Sequence, residues 1–242
     1  MAKNVGLIQF NGALGDLVSY ERNGVQVIQR KGGFTAARIK TEERYAAVRK
    51  RQSEFGKCAK ISSVLRQALL PWLQPIGDKM IYNRIQSMVM GVKNCDLLSE
   101  KGAKTFEKGL RTAAGASLFR KFQFNAKRSL DSNVMVTQNF DFATGKVTVV
   151  PHGYKMGSKH FLAMELLVLS LDLETYDYEL HSSGMQHFKE MHVAPMLEAV
   201  VPTAYGFCAA FLFVSQGVKD GTTMMLLRDR GLAFGVLDFQ LV

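Results

Sequence analysis

Five histidines, His152, His160, His181, His187 and His192, all lie in the second half of this 242-residue chain, and imidazole is the side chain best matched to acid–base or metal chemistry near neutral pH. The last three form H-x5-H-x4-H. Few carboxylates or thiols accompany them at useful separation, and the pattern is not that of a finger or a helix pair holding zinc. Loop or surface histidines are the simpler reading, with His187, Glu190 and His192 the one cluster whose geometry bears checking. Ser182-Ser183-Gly184 beside His181 reads as a polar turn, since no G-x-S-x-G elbow occurs. Asp172, Glu174, Asp177 and Glu179 divide between the two faces of an extended strand and so do not present one carboxylate pair; a solvated edge or tight turn explains them. Cys58, Cys95 and Cys208 are odd in number and far apart, which disfavours a disulfide framework and a zinc site and suggests buried, reduced thiols. Gly12 and Gly15 lack the third glycine and following helix of a dinucleotide loop. Gly32-Gly33, after Arg30-Lys31, has the flexibility to approach a phosphate, but reads first as a connector. No cofactor and no metal is expected, and neither is enzymatic activity.

The remaining chemistry is that of positive charge. Residues 1–131 carry 24 Lys and Arg against 10 Asp and Glu, and residues 132–242 carry 7 against 11. Arg38, Lys40, Arg44, Arg49, Lys50, Arg51 and Lys57 are the candidate polyanion contacts, because affinity for a phosphate chain grows with the number of phosphates neutralised. At about 100° per residue these cations wrap an exposed arc and form no single ridge. A solvated helix face is therefore favoured over polyanion contact. No RNP, finger or helix-turn-helix signature accompanies them.

These side chains must be held by three modules. Residues 1–33 form a β-hairpin arm: LVSYER and VQVIQR flank Asn23-Gly24, whose tolerance of positive φ suits a type I′ turn. That turn pairs Tyr20 with Val27 and Val18 with Gln29 on one face, and Ser19 with Ile28 on the other. The preceding VGLIQFNGALGD has the composition for a third strand. Val18, Tyr20, Asn23, Gly24, Val27 and Ile28 are the candidate assembly residues of this arm, whose apolar faces are too thin to stand alone. Residues 34–121 form a small basic helical bundle. One long helix starts at Thr41 as N-cap and ends before Pro71, with Gly56 loosening its centre; a second spans Asp78 to about Asn94; a weaker third runs from near Ser99 to Leu110, interrupted by Gly102 and Gly109. From residue 122 to 242 the period changes to two, and short strands separated by Thr144-Gly145, Asp220-Gly221 and Arg230-Gly231 predict an antiparallel β-sandwich. The fold class is α+β, with the modules packed against each other for want of a linker.

The opening NVGLIQFNGALGDLVSYERNGVQVIQRKGG, with RIKTEERYAAVRKRQSEFGKCAK and KFQFN after it, resembles a family of uncharacterised Bacteroidota proteins with a glycine-punctuated N-terminal hairpin, central helices and a β-rich end. The matching steps are Lys31 to Gly33, Glu54 to Gly56 and Phe122 to Asn125. The resemblance implies the architecture and brings no activity or catalytic residue.

With 47% hydrophobic residues the chain has ample material for a core. The first fifteen residues do not read as a secretory signal, and the longest apolar run, residues 207–214, is far below the roughly 20 residues of a membrane-spanning helix. A cytoplasmic protein without membrane insertion is expected. The function that follows is a non-enzymatic structural or self-assembly subunit, a homo-oligomer joined through the hairpin and the complementary charge of the two halves. The alternative is a nucleic-acid-associated protein that holds phosphates non-specifically through the basic helices.

Overall fold

The computed structural model describes residues 2–3, 10–31, 36–152, 154, 157–189, 194–220, 223–227 and 231–241. The chain divides into two compact units, Met1–Lys50 and Arg51–Val242, and its described elements are those of an α+β protein.

The first unit is a four-stranded antiparallel sheet of β1 (Ala2–Lys3), β2 (Gly12–Leu14), β3 (Leu17–Arg22) and β4 (Val25–Arg30), in the order β1-β4-β3-β2. Asn23 and Gly24 carry φ of 54° and 75°, the two positive values that a type I′ turn needs to match the strand twist. The register follows from that turn: Tyr20 opposes Val27, Val18 opposes Gln29 and Ser19 opposes Ile28. A short helix, α1 (Ala36–Thr41), and a 3-10 turn at Glu43–Tyr45 follow. Thr41 thus ends a helix where the sequence suggested that it starts one. Its hydroxyl donates to the Ala37 carbonyl inside that helix, so it is not available to cap the next.

The second unit is built around a six-stranded antiparallel sheet. Its centre is the pair β7 (His160–Leu171) and β11 (Phe207–Asp220), in register from His160 opposite Val218 to Leu171 opposite Phe207. β8 (Tyr178–Ser182) and β9 (Gln186–Phe188) extend the sheet beyond β7, while β12 (Thr223–Leu226) and β13 (Leu232–Leu241) extend it beyond β11. A three-stranded sheet of β5 (Val134–Asp141), β6 (Lys146–Pro151) and β10 (Met196–Glu198) lies over one face. Val147, Val149 and Leu197 share a core there with Leu162, Met164, Leu212 and Val214. The opposite face of the same strands, through Leu167, Leu169, Phe211 and Phe213, is covered by helices. A sheet covered on both sides needs apolar residues at consecutive positions, which is why HFLAMELLVLSL and FCAAFLFV read as unbroken runs.

The helices are α2 (Ala46–Ala68), α3 (Leu70–Leu73), α4 (Ile81–Asn94), α5 (Phe106–Leu110) and α6 (Ala113–Arg120). Ile61, Leu65, Ile85, Val89, Phe106 and Phe119 enter the same core as the sheet, so the helical segment is one layer of this unit. Thr105 caps α5 by accepting from the Lys108 N–H, and Thr112 caps α6 by accepting from the Gly115 N–H; the helix expected from near Ser99 to Leu110 begins only at Phe106, and α6 follows beyond it, with both starts set by those side chains. Gly109 permits the close approach of α5 to α4, where a methyl group would stand 2.0 Å from the Val92 carbonyl oxygen.

Candidate functional site

Three anchors hold the helical layer together and to the sheet. Glu54 of α2 accepts from the Lys93 ammonium of α4 at 2.9 Å and from the Gly102 and Lys104 N–H groups at 2.6 and 3.3 Å. Burial pushes this carboxyl up, but the Lys93 charge and the two backbone donors outweigh it and hold the group below its ordinary range. Arg84 donates to the Phe124 and Gln123 carbonyls and to Asp78, tying α4 to the segment before the first sandwich strand. In that segment the Phe124 N–H donates to the Phe234 carbonyl and the Asn125 amide to that of Leu232. The Glu54–Gly56 and Phe122–Asn125 steps of the sequence are thereby structural joints. The third anchor is Glu165, which accepts from the Trp72 indole N–H at 2.8 Å and from the Ser182 hydroxyl.

The predicted cations separate once their partners are known. Arg38 and Arg44 both pair with Glu42 at 2.6 Å, and Arg44 also lies over the Tyr45 ring. Arg49 donates to the Ile39 and Glu42 carbonyls at 2.8 Å, satisfying backbone acceptors at the end of α1. Lys40, Lys50, Arg51 and Lys57 are exposed. Arg51 and Lys57 belong to the second unit, on α2, and line two different hollows.

The first hollow, of ≈ 300 Å³, holds Lys57, Lys104, Glu107, Glu174 and Tyr176 around Cys58. Its thiol is almost fully buried, and burial raises its pKa, so it is no ready nucleophile. The second hollow, of ≈ 370 Å³, places Arg51 and Phe55 of α2 against Met90 and Asn94 of α4, with Lys101 and Lys104 on the loop that Glu54 fixes. Lys101 and Lys104 escaped the sequence reading because their loop lies some fifty residues from Arg51, and only the Glu54 clamp relates the two.

Of the histidine cluster, His187 sits on β9 with its ring 5.1 Å from that of Phe161; Glu190 and His192 lie outside the described residues, as do Gly32 and Gly33. His181 contacts Glu179 at 2.7 Å on β8. Asp172 accepts from the Glu174 and Thr175 N–H groups and so makes the tight turn before β8. Among the described residues no group of three or more His, Cys, Asp or Glu is placed to hold a metal ion, and no helix is long and apolar enough to cross a membrane.

In the hairpin, Val27 is buried, Val18, Tyr20 and Ile28 are half-buried, and Asn23 and Gly24 form the exposed turn. No family model, no curated protein and no solved structure matches this chain.

Proposed function

We propose that this chain is a non-enzymatic assembly subunit whose N-terminal sheet associates with another copy of itself. One observation carries the reading. Among the described residues of the Met1–Lys50 unit, only Ser19, Val27 and Tyr45 are buried, and a sheet of this size with so little apolar burial does not stand alone. Pairing across the hairpin puts Val18, Tyr20, Val25 and Val27 on one face with Arg22 and Gln29, and of these apolar residues Val25 is exposed and Val18 half-buried, so apolar surface on this face is left for a partner. β2 forms one edge of the described sheet, and the outer side of an edge strand offers main-chain donors and acceptors for strand addition.

A second copy suits as partner because the two halves of the sequence carry opposite net charge, favouring head-to-tail contact. Such a contact is heterologous and builds a ring or a filament. Leu97 and Leu98, 84% and 98% exposed, add an apolar projection of the second unit. Asp96 accepts from the Leu98 and Ser99 N–H groups and holds it in place.

Size exclusion with light scattering tests the reading. The full chain is expected to run as an oligomer that persists in high salt, and a chain lacking residues 1–33 as a monomer. The full-length Val18→Asp/Val25→Asp variant, with charges on that apolar surface, should dissociate in the same way. A full chain that is monomeric throughout, or variants of unchanged mass, would sink the proposal.

A further inference from the structure

The second hollow carries an exposed aromatic ring among cations. Phe55 is 52% exposed, although it lies next to Glu54, the buried carboxylate of α2. Arg51 stands one helical turn before it on the same face of the helix. Lys101 and Lys104 reach the same hollow from the 100–104 loop. Among the described residues no carboxylate pairs with any of these three cations, whereas Lys93, at the floor, is neutralised by Glu54. The result is an exposed aromatic ring flanked by three uncompensated positive charges, in a concave site whose geometry is locked from beneath by a buried ion pair and two backbone hydrogen bonds.

We infer that this cleft binds single-stranded nucleic acid, with Phe55 stacking on a base and Arg51, Lys101 and Lys104 holding the phosphates on either side. A single strand fits better than a duplex, because a ring set between cations needs an open base face, which a duplex keeps inside its stack. A concave site with an aromatic ring also suits a base more than a flat membrane surface. The footprint is short, three cations around one ring: the adjoining hollow beyond Lys104 mixes Lys57 with Glu174 and with Glu107, the latter paired with Arg111. Contacts of this kind read no sequence. The site uses side chains of the second unit alone, so it stands whether or not the hairpin assembles.

Fluorescence polarisation of a labelled mixed-sequence 15-nucleotide DNA strand with the full-length protein, titrated with salt, decides the matter. Three neutralised phosphates correspond to a log–log salt slope of about −2. Arg51→Gln, Lys101→Gln and Lys104→Gln should each reduce the slope by about 0.7, while Arg51→Lys should preserve it. Phe55→Ala should weaken binding about 5- to 150-fold with the slope unchanged. Lys79→Gln, outside the cleft, should change neither. Arg51, Phe55, Lys79 and Lys101 are exposed and Lys104 is half-buried, and ultraviolet crosslinking of the bound strand to the peptide containing Phe55 provides a readout in the unaltered protein. An unchanged slope in the triple Gln variant would overturn the inference. So would tighter binding of the matching duplex, or of a phosphopeptide, that is indifferent to Phe55→Ala.

Discussion

The Lys93 ammonium lies 2.9 Å from the Glu54 carboxylate, with both side chains more than nine-tenths buried, and the same carboxylate receives two backbone N–H groups from the loop at 102–104. This pair joins α2 to α4 and sets the loop that carries Lys101 and Lys104. Removing one partner leaves the other charge buried and unpaired, at a cost of about 3–5 kcal/mol.

Glu54→Gln should accordingly lower the urea midpoint strongly at pH 7, and Lys93→Met should do so too. The sign with pH follows from the carboxyl's lowered pKa. Its contribution is fully present above the ordinary carboxylate value of about 4.5 and is lost as pH falls from there through the folded-state value. The gap between the parent protein and Glu54→Gln should therefore narrow between pH 5 and pH 3, whereas a gap that is constant with pH would show that the charge is not the source of the stability.

Gly109→Ala and Gly56→Ala should move stability in opposite directions. A methyl group on Gly109 meets the Val92 carbonyl at 2.0 Å, while one on Gly56, in the middle of α2, meets nothing within 4 Å. The first should cost about 1–3 kcal/mol through forced separation of α4 and α5. The second should add about 0.5–1 kcal/mol through helix propensity. Chemical denaturation of the two variants checks both, and equal effects would contradict the packing described.

Trp72 is the only tryptophan, and its indole N–H donates to Glu165. Glu165→Ala should change its emission spectrum and cost about 1–3 kcal/mol, since the indole and the Ser182 hydroxyl lose their acceptor. Glu165→Gln retains an acceptor and should do less on both counts. Identical spectra for the two variants would place the Trp72 signal elsewhere.

Thiol labelling should follow burial. Cys208 is pushed up to about 11 by burial, and Cys58 is raised in the same direction; at pH 8 a thiol of that pKa is thiolate in only about one part in a thousand. Cys95 is half-buried and should react first with a disulfide reagent, the other two only at the rate of unfolding. Prompt labelling of all three thiols in the native protein would contradict the core as described.

What the sequence discloses here is local. The hairpin register is legible because Asn23-Gly24 admits a turn with two positive φ values, and the turn then dictates every pair from Tyr20–Val27 to Val18–Gln29. The β-rich half is marked in part for the same reason: the alternation seen in β6 is a property of a few consecutive residues, whereas β7 and β11 stand out as unbroken apolar runs. Helix boundaries were less legible. Thr41, Thr105 and Thr112 are equivalent as isolated capping residues, and only the carbonyl and N–H groups placed near each hydroxyl distinguish a helix end from a start.

The surface chemistry was decided by contacts between residues far apart in the chain. Turn motifs, periodicity and charge by themselves determined an α+β protein with a basic first half and a candidate arm, because those are properties of short stretches. Tertiary structure decided which cations are spent: Arg38 and Arg44 on Glu42, and Arg49 on the carbonyls at the end of α1. It also decided that Arg51 and Phe55 share a cleft with Lys101 and Lys104, because a buried carboxylate on one helix draws in an ammonium 39 residues away and the amides of a loop beyond it. An electrostatic contact acts through space, so its partners carry no fixed spacing in the sequence.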